Sequence, residues 1–258
     1  MSPVLFEVKN NIATITFNRP ESFNSFNREM SLLMQEKLDE CASAHDIRCV
    51  LITGTGKAFS AGQDLGELIG ENAIGIDKIL SQHYNPIISR IRDLPKPVIA
   101  LVNGVAAGAG ANIALCCDIV LATQSATFIQ AFSKIGLIPD SGGTYFLPRL
   151  IGWQKASALM MLGEKISATE AVELGMIYKS FADEIFWEES MKLAQTLAQM
   201  PTKGLAFTKQ ALNNSLNSSL AAQLLKEDEL QQKAADTKDF KEGVAAFLEK
   251  RQATFKGE

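Results

Sequence analysis

Histidine is nearly absent: the 258 residues contain two, His45 and His83, and both fall in ordinary helical patterns. A Ser–His–Asp or Cys–His nucleophile needs a histidine to take its proton, so hydrolase chemistry of that type is disfavoured. Cysteine is also sparse, and Cys41, Cys49, Cys116 and Cys117 show no C-x-x-C spacing. That argues against a zinc site and against a disulfide framework, so no metal is expected. Basic charge is not in excess: 25 Lys and Arg face 29 Asp and Glu, a formal net charge of -4. A polyanionic partner is neutralised by surplus cations, so neither nucleic acid nor an anionic membrane is an expected partner. No apolar run reaches the roughly 18 residues of a spanning helix. The start, "MSPVLFEVKNNIATITF", lacks the basic and apolar regions of a secretory signal. These absences together predict a cytoplasmic protein in a reducing compartment. What remains is a chain whose 47% hydrophobic content suffices for a substantial core.

The pattern along the chain alternates. "IATITF" (12–17) reads as a strand, followed by a loop dense in Asn, Ser and Pro, "NRPESFNSFN". Met30, Leu33, Met34, Leu38 and Cys41 then share one helical face, with Asn27 as the expected N-cap. "RCVLIT" (48–53), "PVIALV" (97–102) and "DIVLAT" (118–123) are short, β-branched runs that are apolar between their end residues, the signature of strands buried on both faces. Helical stretches around 77–93 and in "ANIALCC" fall between them, which predicts an α/β fold with largely parallel pairing. From about 154 the pattern turns almost wholly helical, with a capping-box pair at Ser167 and Glu170 and a C-cap glycine at Gly175. "MPTKG" marks a soft boundary near 200, dividing a core of 1–200 from a helical region of 201–258.

Three loops could carry chemistry. "AFSAGQDL" and "NGVAAGAG" are small-residue turns after strands, and the second also opens a helix; their exposed backbone N–H groups could converge on a carbonyl oxygen that gains charge in a reaction. The second is neither a G-x-G-x-x-G fingerprint nor a P-loop, so dinucleotide binding is unsupported. Each cluster taken alone could equally be a tight turn. The third loop, "GLIPDSGGTYFLPR", sets Asp140 between the apolar Leu137, Ile138 and Pro139 and the pair Gly142 and Gly143. Asp140 could cap the following helix, or it could be a base whose burial raises its affinity for a proton, with the glycines making room for the reacting group.

"ITFNRPESFNSF", "LITGTGKAFSAGQDL", "PKPVIALVNGVAAGAGANIALCCDIVLAT" and "FSKIGLIPDSGGTYFLPRLIG", in this order and spacing, resemble the crotonase (enoyl-CoA hydratase/isomerase) superfamily over essentially the whole chain. The resemblance implies a spiral of repeated β-β-α units with a C-terminal helical region, 201–258, that mediates trimerisation, so the expected assembly is a homotrimer or homohexamer. It implies an acyl-CoA thioester as substrate, with coenzyme A part of that substrate and no separate cofactor. Carried over by motif, the oxyanion donors are the N–H groups of Gln63 and Ala109, and Asp140 is the catalytic carboxylate. Ala61, Asp64, Leu65, Asn112, Phe132, Tyr84 and Ile138 are the expected substrate-site residues, with Asp64 also orienting its loop and Asp118 leading a strand. The two glutamates typical of the hydratases correspond here to Asn112 and Phe132, which points instead to isomerisation by a single base. "FSKIGLIPD" followed by S-G-G-T, and the ending "KEGVAAFLEKR", most resemble the branch that rearranges ring-epoxide acyl-CoA thioesters. A double-bond shift in linear enoyl-CoAs, hydration, an aspartate-nucleophile dehalogenase and a non-catalytic acyl-CoA- or RNA-binding member are the alternatives.

Overall fold

A computed structural model describes residues 2–69 and 73–258. Strands β1 (Val4–Lys9) and β2 (Ile12–Phe17) form a hairpin. Its two turn residues, Asn10 and Asn11, take φ of 51° and 63°, the mirror-image turn that matches strand twist. Helix α1 (Arg28–Ser43) follows, and the Asn27 side chain accepts from Met30 N–H as its N-cap. The chain then makes strand pairs separated by helices: β3 (Cys49–Gly54) and β4 (Ala58–Ser60); α2 (Ile76–Lys78), which runs through a π-helical stretch Ile79–Tyr84 into α3 (Asn85–Asp93); β5 (Val98–Val102) and β6 (Val105–Ala107); α4 (Ala109–Leu115); β7 (Ile119–Thr123) and β8 (Thr127–Ile129); α5 (Gly143–Ile151) and α6 (Trp153–Leu162). The first strand of each pair enters a six-stranded sheet ordered β1-β2-β3-β5-β7-β10, with β10 at Lys179–Phe181, and the second enters a four-stranded sheet ordered β4-β6-β8-β9, with β9 at Lys165–Ser167. This is the expected spiral of β-β-α units.

Two strands interrupt the region expected to be almost wholly helical. β9 (Lys165–Ser167) pairs antiparallel with β8, and β10 (Lys179–Phe181) pairs parallel with β7. Between them lies α7 (Ala168–Glu173), capped by Ser167 and closed at Gly175 by bonds from Gly175 N–H to the Val172 carbonyl and Met176 N–H to the Ala171 carbonyl. Three-residue strands carry too few residues to show a period, so sequence pattern alone misses the second sheet.

Along its central strands β3, β5 and β7 the large sheet is buried on both faces. Along β3, Val50 and Ile52 enter the core between the sheets and α1, while Cys49 and Leu51 join Phe186 and Ala194 of α8 (Phe186–Gln199). Helices α9 (Thr202–Ser215), α10 (Leu220–Ala235) and α11 (Lys238–Leu248) complete the chain. They leave Leu212, Leu220, Leu224, Leu225, Phe247 and Leu248 exposed. No helix among the described residues is long and apolar enough to cross a membrane.

Candidate active site

The segment after β4 is held by strand-like bonds to the Asn/Ser-rich loop: Ala61 N–H to the Phe23 carbonyl, Phe26 N–H to that of Gly62, and Asp64 N–H to that of Phe26. In this parallel pairing Gln63 sits opposite Phe26 while its neighbours make the bonds, so the Gln63 N–H points away from Phe26. Gly62, at φ 89°, turns the chain so closely against the next loop that a Cβ there would lie 2.9 Å from the Ala107 carbonyl oxygen and 3.2 Å from the Ala109 nitrogen. The Ala109 N–H opens α4, where no preceding turn can supply an acceptor. Neither the Gln63 nor the Ala109 N–H has a hydrogen-bond partner among the described residues.

The Asn/Ser-rich loop does more than connect. Asn24, fully buried, accepts from Arg19 N–H and donates to the Thr55 and Ala58 carbonyls, while Ser60 Oγ donates to the Asn24 carbonyl and accepts from Gly62 N–H. The buried amide thereby fixes the donor segment to β4. Tyr84, 1% exposed, donates from Oη to Gln63 Oε1 at 2.9 Å, and Gln63 Nε2 donates to the Asp64 carbonyl at 3.1 Å.

A cavity of about 210 Å³ lies over these donors. Ala61, Gln63, Leu65, Tyr84, Ala109, Phe132 and Asp140, all expected from sequence, line it. Leu68, Ile76, Ile79, Leu80, Ile135 and Leu137 extend an apolar wall that the sequence reading did not assign, and Lys134 adds a cation. The signal for that wall was the i, i+3, i+4 spacing of Ile76, Ile79 and Leu80. The Phe132 ring lies over the turn at Gly108, 3.8 Å from where a Cβ would be.

Three expected substrate-site residues do not line this cavity. Asp64 pairs with Arg19 at 2.9 Å and caps a short turn through Gly66 N–H, so it orients the loop. Asn112 is fully buried and bonds the main chain of Asp140. Ile138 is 80% exposed and is not part of the pocket lining.

The loop around Asp140 also departs from expectation. Its carboxylate does not cap α5: Gly142 holds that position and no side chain bonds there. Oδ1 instead accepts from Ser141 Oγ at 2.8 Å. Gly142 and Gly143 make room for protein, not substrate, since a Cβ at Gly142 would meet the Phe146 ring at 2.7 Å and one at Gly143 the Asn112 amide at 2.4 Å. Burial pushes the Asp140 carboxyl above its ordinary range, and the Ser141 hydroxyl offsets part of the shift. Burial likewise raises the Tyr84 phenol, with the Asp140 and Glu67 carboxylates adding to it, so Tyr84 is a neutral donor. The histidines stand apart from the pocket lining. His45 lies in a turn after α1, not in a helix, because the helix ends at Ser43. His83 is buried within the π-helical stretch with Nε2 3.4 Å from Arg28 Nη1, and burial lowers its basicity. No cluster of three potential metal ligands occurs among the described residues.

Apolar walls, two unpaired N–H groups on adjoining loops and one half-buried carboxylate can hold an acyl group, stabilise a negative oxygen and move a proton. The chain is 45% identical to 1,2-epoxyphenylacetyl-CoA isomerase of Escherichia coli K12, over 100% of this chain and 99% of that protein. It is 41% identical to a Rhodobacter capsulatus protein described as a probable enoyl-CoA hydratase, over 98% of each. Its fold superimposes on the crystal structure of an enoyl-CoA hydratase from Bacillus anthracis with a TM-score of 0.92, at 31% identity, covering 99% of this chain and 100% of that one. Residues 7–258 match the enoyl-CoA hydratase/isomerase family, and the chain is an enzyme of that family.

Proposed function

We propose that this protein isomerises acyl-CoA thioesters through an enolate. In this reading the thioester oxygen sits between the Gln63 and Ala109 N–H groups, and Asp140 takes the proton from the carbon beside the thioester. The electron pair left behind moves onto that oxygen, where the two fixed donors stabilise it. Asp140 then returns the proton at another carbon of the same substrate. The observation that carries the proposal is that Asp140 is the one carboxylate lining the pocket among the described residues, while the positions typical of a hydratase's two glutamates hold Phe132 and an Asn112 whose amide is bonded at both ends. Water activation needs a second acid or base, and Asn112 has neither the proton nor the freedom to supply one.

The substrate we assign is a ring-1,2-epoxide of phenylacetyl-CoA, converted to the oxepin in aerobic phenylacetate degradation, with the 3,2-shift of linear enoyl-CoAs as a second activity. The aromatic Phe132 and Tyr84 and the aliphatic Leu65, Ile79 and Leu80 suit a flat apolar acyl group. The first relative above, an isomerase by name, supports the same choice. A dehalogenase reading is weaker, because Trp153 and Trp187 are exposed and outside the cavity lining. A silent CoA-ester or RNA binder would have no use for a buried base beside paired donors. The exposed apolar faces of α9–α11 suit a homotrimer or homohexamer, and the assigned compartment is the cytoplasm.

Asp140→Asn tests the proposal. Binding of the CoA ester should survive, while turnover and exchange of the proton beside the thioester with D2O fall by at least roughly a hundredfold. Unchanged turnover would remove Asp140 from the mechanism. Assaying ring-epoxide and 3-enoyl substrates side by side decides the acyl group.

A further inference from the structure

Asn112 lies one turn into α4, three residues after Ala109, and is fully buried. Its Nδ2 donates to the Asp140 carbonyl at 2.8 Å, and its Oδ1 accepts from Gln130 Nε2 at 2.8 Å. The Asp140 carbonyl also accepts from Gly143 N–H at 2.8 Å, so both of its lone pairs are engaged. The amide has one workable orientation: turned over, Asn112 would place oxygen against the Asp140 carbonyl and NH2 against NH2.

Two further features show that the surroundings are built for this contact. A Cβ on Gly143 would lie 2.4 Å from Asn112 Nδ2, so the contact exists only because that position lacks a side chain. Gln130 is 3% exposed and leaves its own Oε1 buried without a partner among the described residues while its NH2 orients Asn112. An unpaired buried acceptor is unfavourable, and it persists where another requirement dominates. The turn being held is itself strained, since Ser141 and Gly142 follow Asp140 with φ of 51° and 75°. A side-chain-bearing residue in the left-handed region stays there only when its surroundings hold it.

We propose that Asn112 is a positioning residue: its amide ties the loop of the base Asp140 to the helix whose first N–H receives the thioester oxygen. Ala109 and Asn112 share one helical turn, so a single hydrogen bond sets the base relative to the oxyanion donor. Without it the two groups would sit on independently moving loops, and a misplacement of about 1 Å can cost about a hundredfold in rate. Gln130 acts one step further out, fixing which way the amide points. The inference rests on the reading of Asp140 as the base.

Three variants test it. Asn112→Asp keeps size and the acceptor for Gln130 but removes the donor; Gly143→Ala pushes the amide away with Asn112 and Asp140 chemically intact; Gln130→Met frees the amide to rotate. Steady-state kinetics, exchange of the proton beside the thioester with D2O, and binding of a saturated acyl-CoA are measured on each, with Asp140→Asn alongside. Asn112→Asp and Gly143→Ala should lower kcat and exchange by about tenfold to a hundredfold with saturated acyl-CoA binding unchanged, and Gln130→Met should fall between them and the unmodified protein. Wild-type exchange in Asn112→Asp, or in Gly143→Ala should the first fail to fold, overturns the clamp while Asp140→Asn remains inactive. Parallel losses of kcat, acyl-CoA binding and melting temperature would reduce Asn112 to an ordinary buried amide and also overturn it. Full turnover in Asp140→Asn would instead refute the assignment of the base.

Discussion

Gly62→Ala is the most economical probe of the oxyanion pair, because it changes neither donor. At φ 89° the residue lies where only glycine rests without strain, and an alanine there costs about 1 to 3 kcal/mol. The added Cβ would also lie 2.9 Å from the Ala107 carbonyl oxygen and 3.2 Å from the Ala109 nitrogen. Both atoms are backbone, so no flexible side chain can swing aside. The strand bonds from Ala61, Phe26 and Asp64 hold one loop, and β6 holds the other. Relief must therefore come from spreading the two loops by about 0.5 Å, given ordinary carbon contacts of about 3.5 Å. Spreading separates the Gln63 and Ala109 N–H groups, and losing one oxyanion donor costs about a hundredfold to a thousandfold in kcat. With partial displacement we expect kcat to fall about a hundredfold, or about 2.7 kcal/mol. The backbone strain lowers Tm by about 2 to 12 °C at about 2 to 4 °C per kcal/mol. Single-turnover kinetics and a thermal melt read the two effects separately. A folded Gly62→Ala variant with wild-type kcat would refute the assignment of these two N–H groups.

Two further outcomes follow from buried charge. Asp140 must be ionised to take a proton and burial raises its pKa, so kcat/KM should fall as pH drops through a value above the ordinary carboxylate range; an acid limb at or below about pH 3.9 would contradict this. The same shift means the folded state binds the proton more tightly than the unfolded chain, so stability declines as pH rises from the unfolded pKa to the folded one. Asp140→Asn should therefore melt above the unmodified protein at pH 7, with the gap closing on acidification below about pH 3.9. Remote from the cavity, Lys209 Nζ on α9 pairs with Asp118 Oδ2 at 2.8 Å and donates to the Ile91 carbonyl at 2.7 Å. Lys209→Met leaves Asp118 with Arg92 at 3.3 Å and Val98 N–H at 2.9 Å but strips the Ile91 carbonyl of its donor, so it should cost about 1 to 3 kcal/mol, read by denaturant unfolding. Adding Asp118→Asn should recover part of that loss, and a cost under about 1 kcal/mol would contradict a stabilising role for the pair.

Much of the fold was legible because burial leaves a mark on composition. β3, β5 and β7 are apolar throughout because both faces of their sheet are covered, and α1 shows its buried stripe at helical spacing. Caps at Asn27 and Ser167 were legible because a cap is a contact over three residues. The four-stranded sheet was not, since its strands are three residues long and defined by partners as far away as Val105 is from Ala58. Nor was the true role of Gly142 and Gly143: the sequence shows that a side chain is missing, and only the fold shows that Phe146 and Asn112 fill the space.

By itself, the sequence determined the α/β class, the three small-residue loops, the candidate donors Gln63 and Ala109, and the placing of Asp140 as the candidate base. Each is a property of local pattern or of motif order, and survives being read along a line. The tertiary structure alone decided that Asp140 leaves α5 uncapped, that Asp64 and Ile138 stand outside the cavity, and that Asn112 bonds the main chain of Asp140. The last of these depends on groups that meet across 28 residues of chain, as Asn112 and Asp140 do at 2.8 Å. A hydrogen bond of that kind is set by packing in three dimensions, and residue identity constrains it only through what each partner is able to donate or accept.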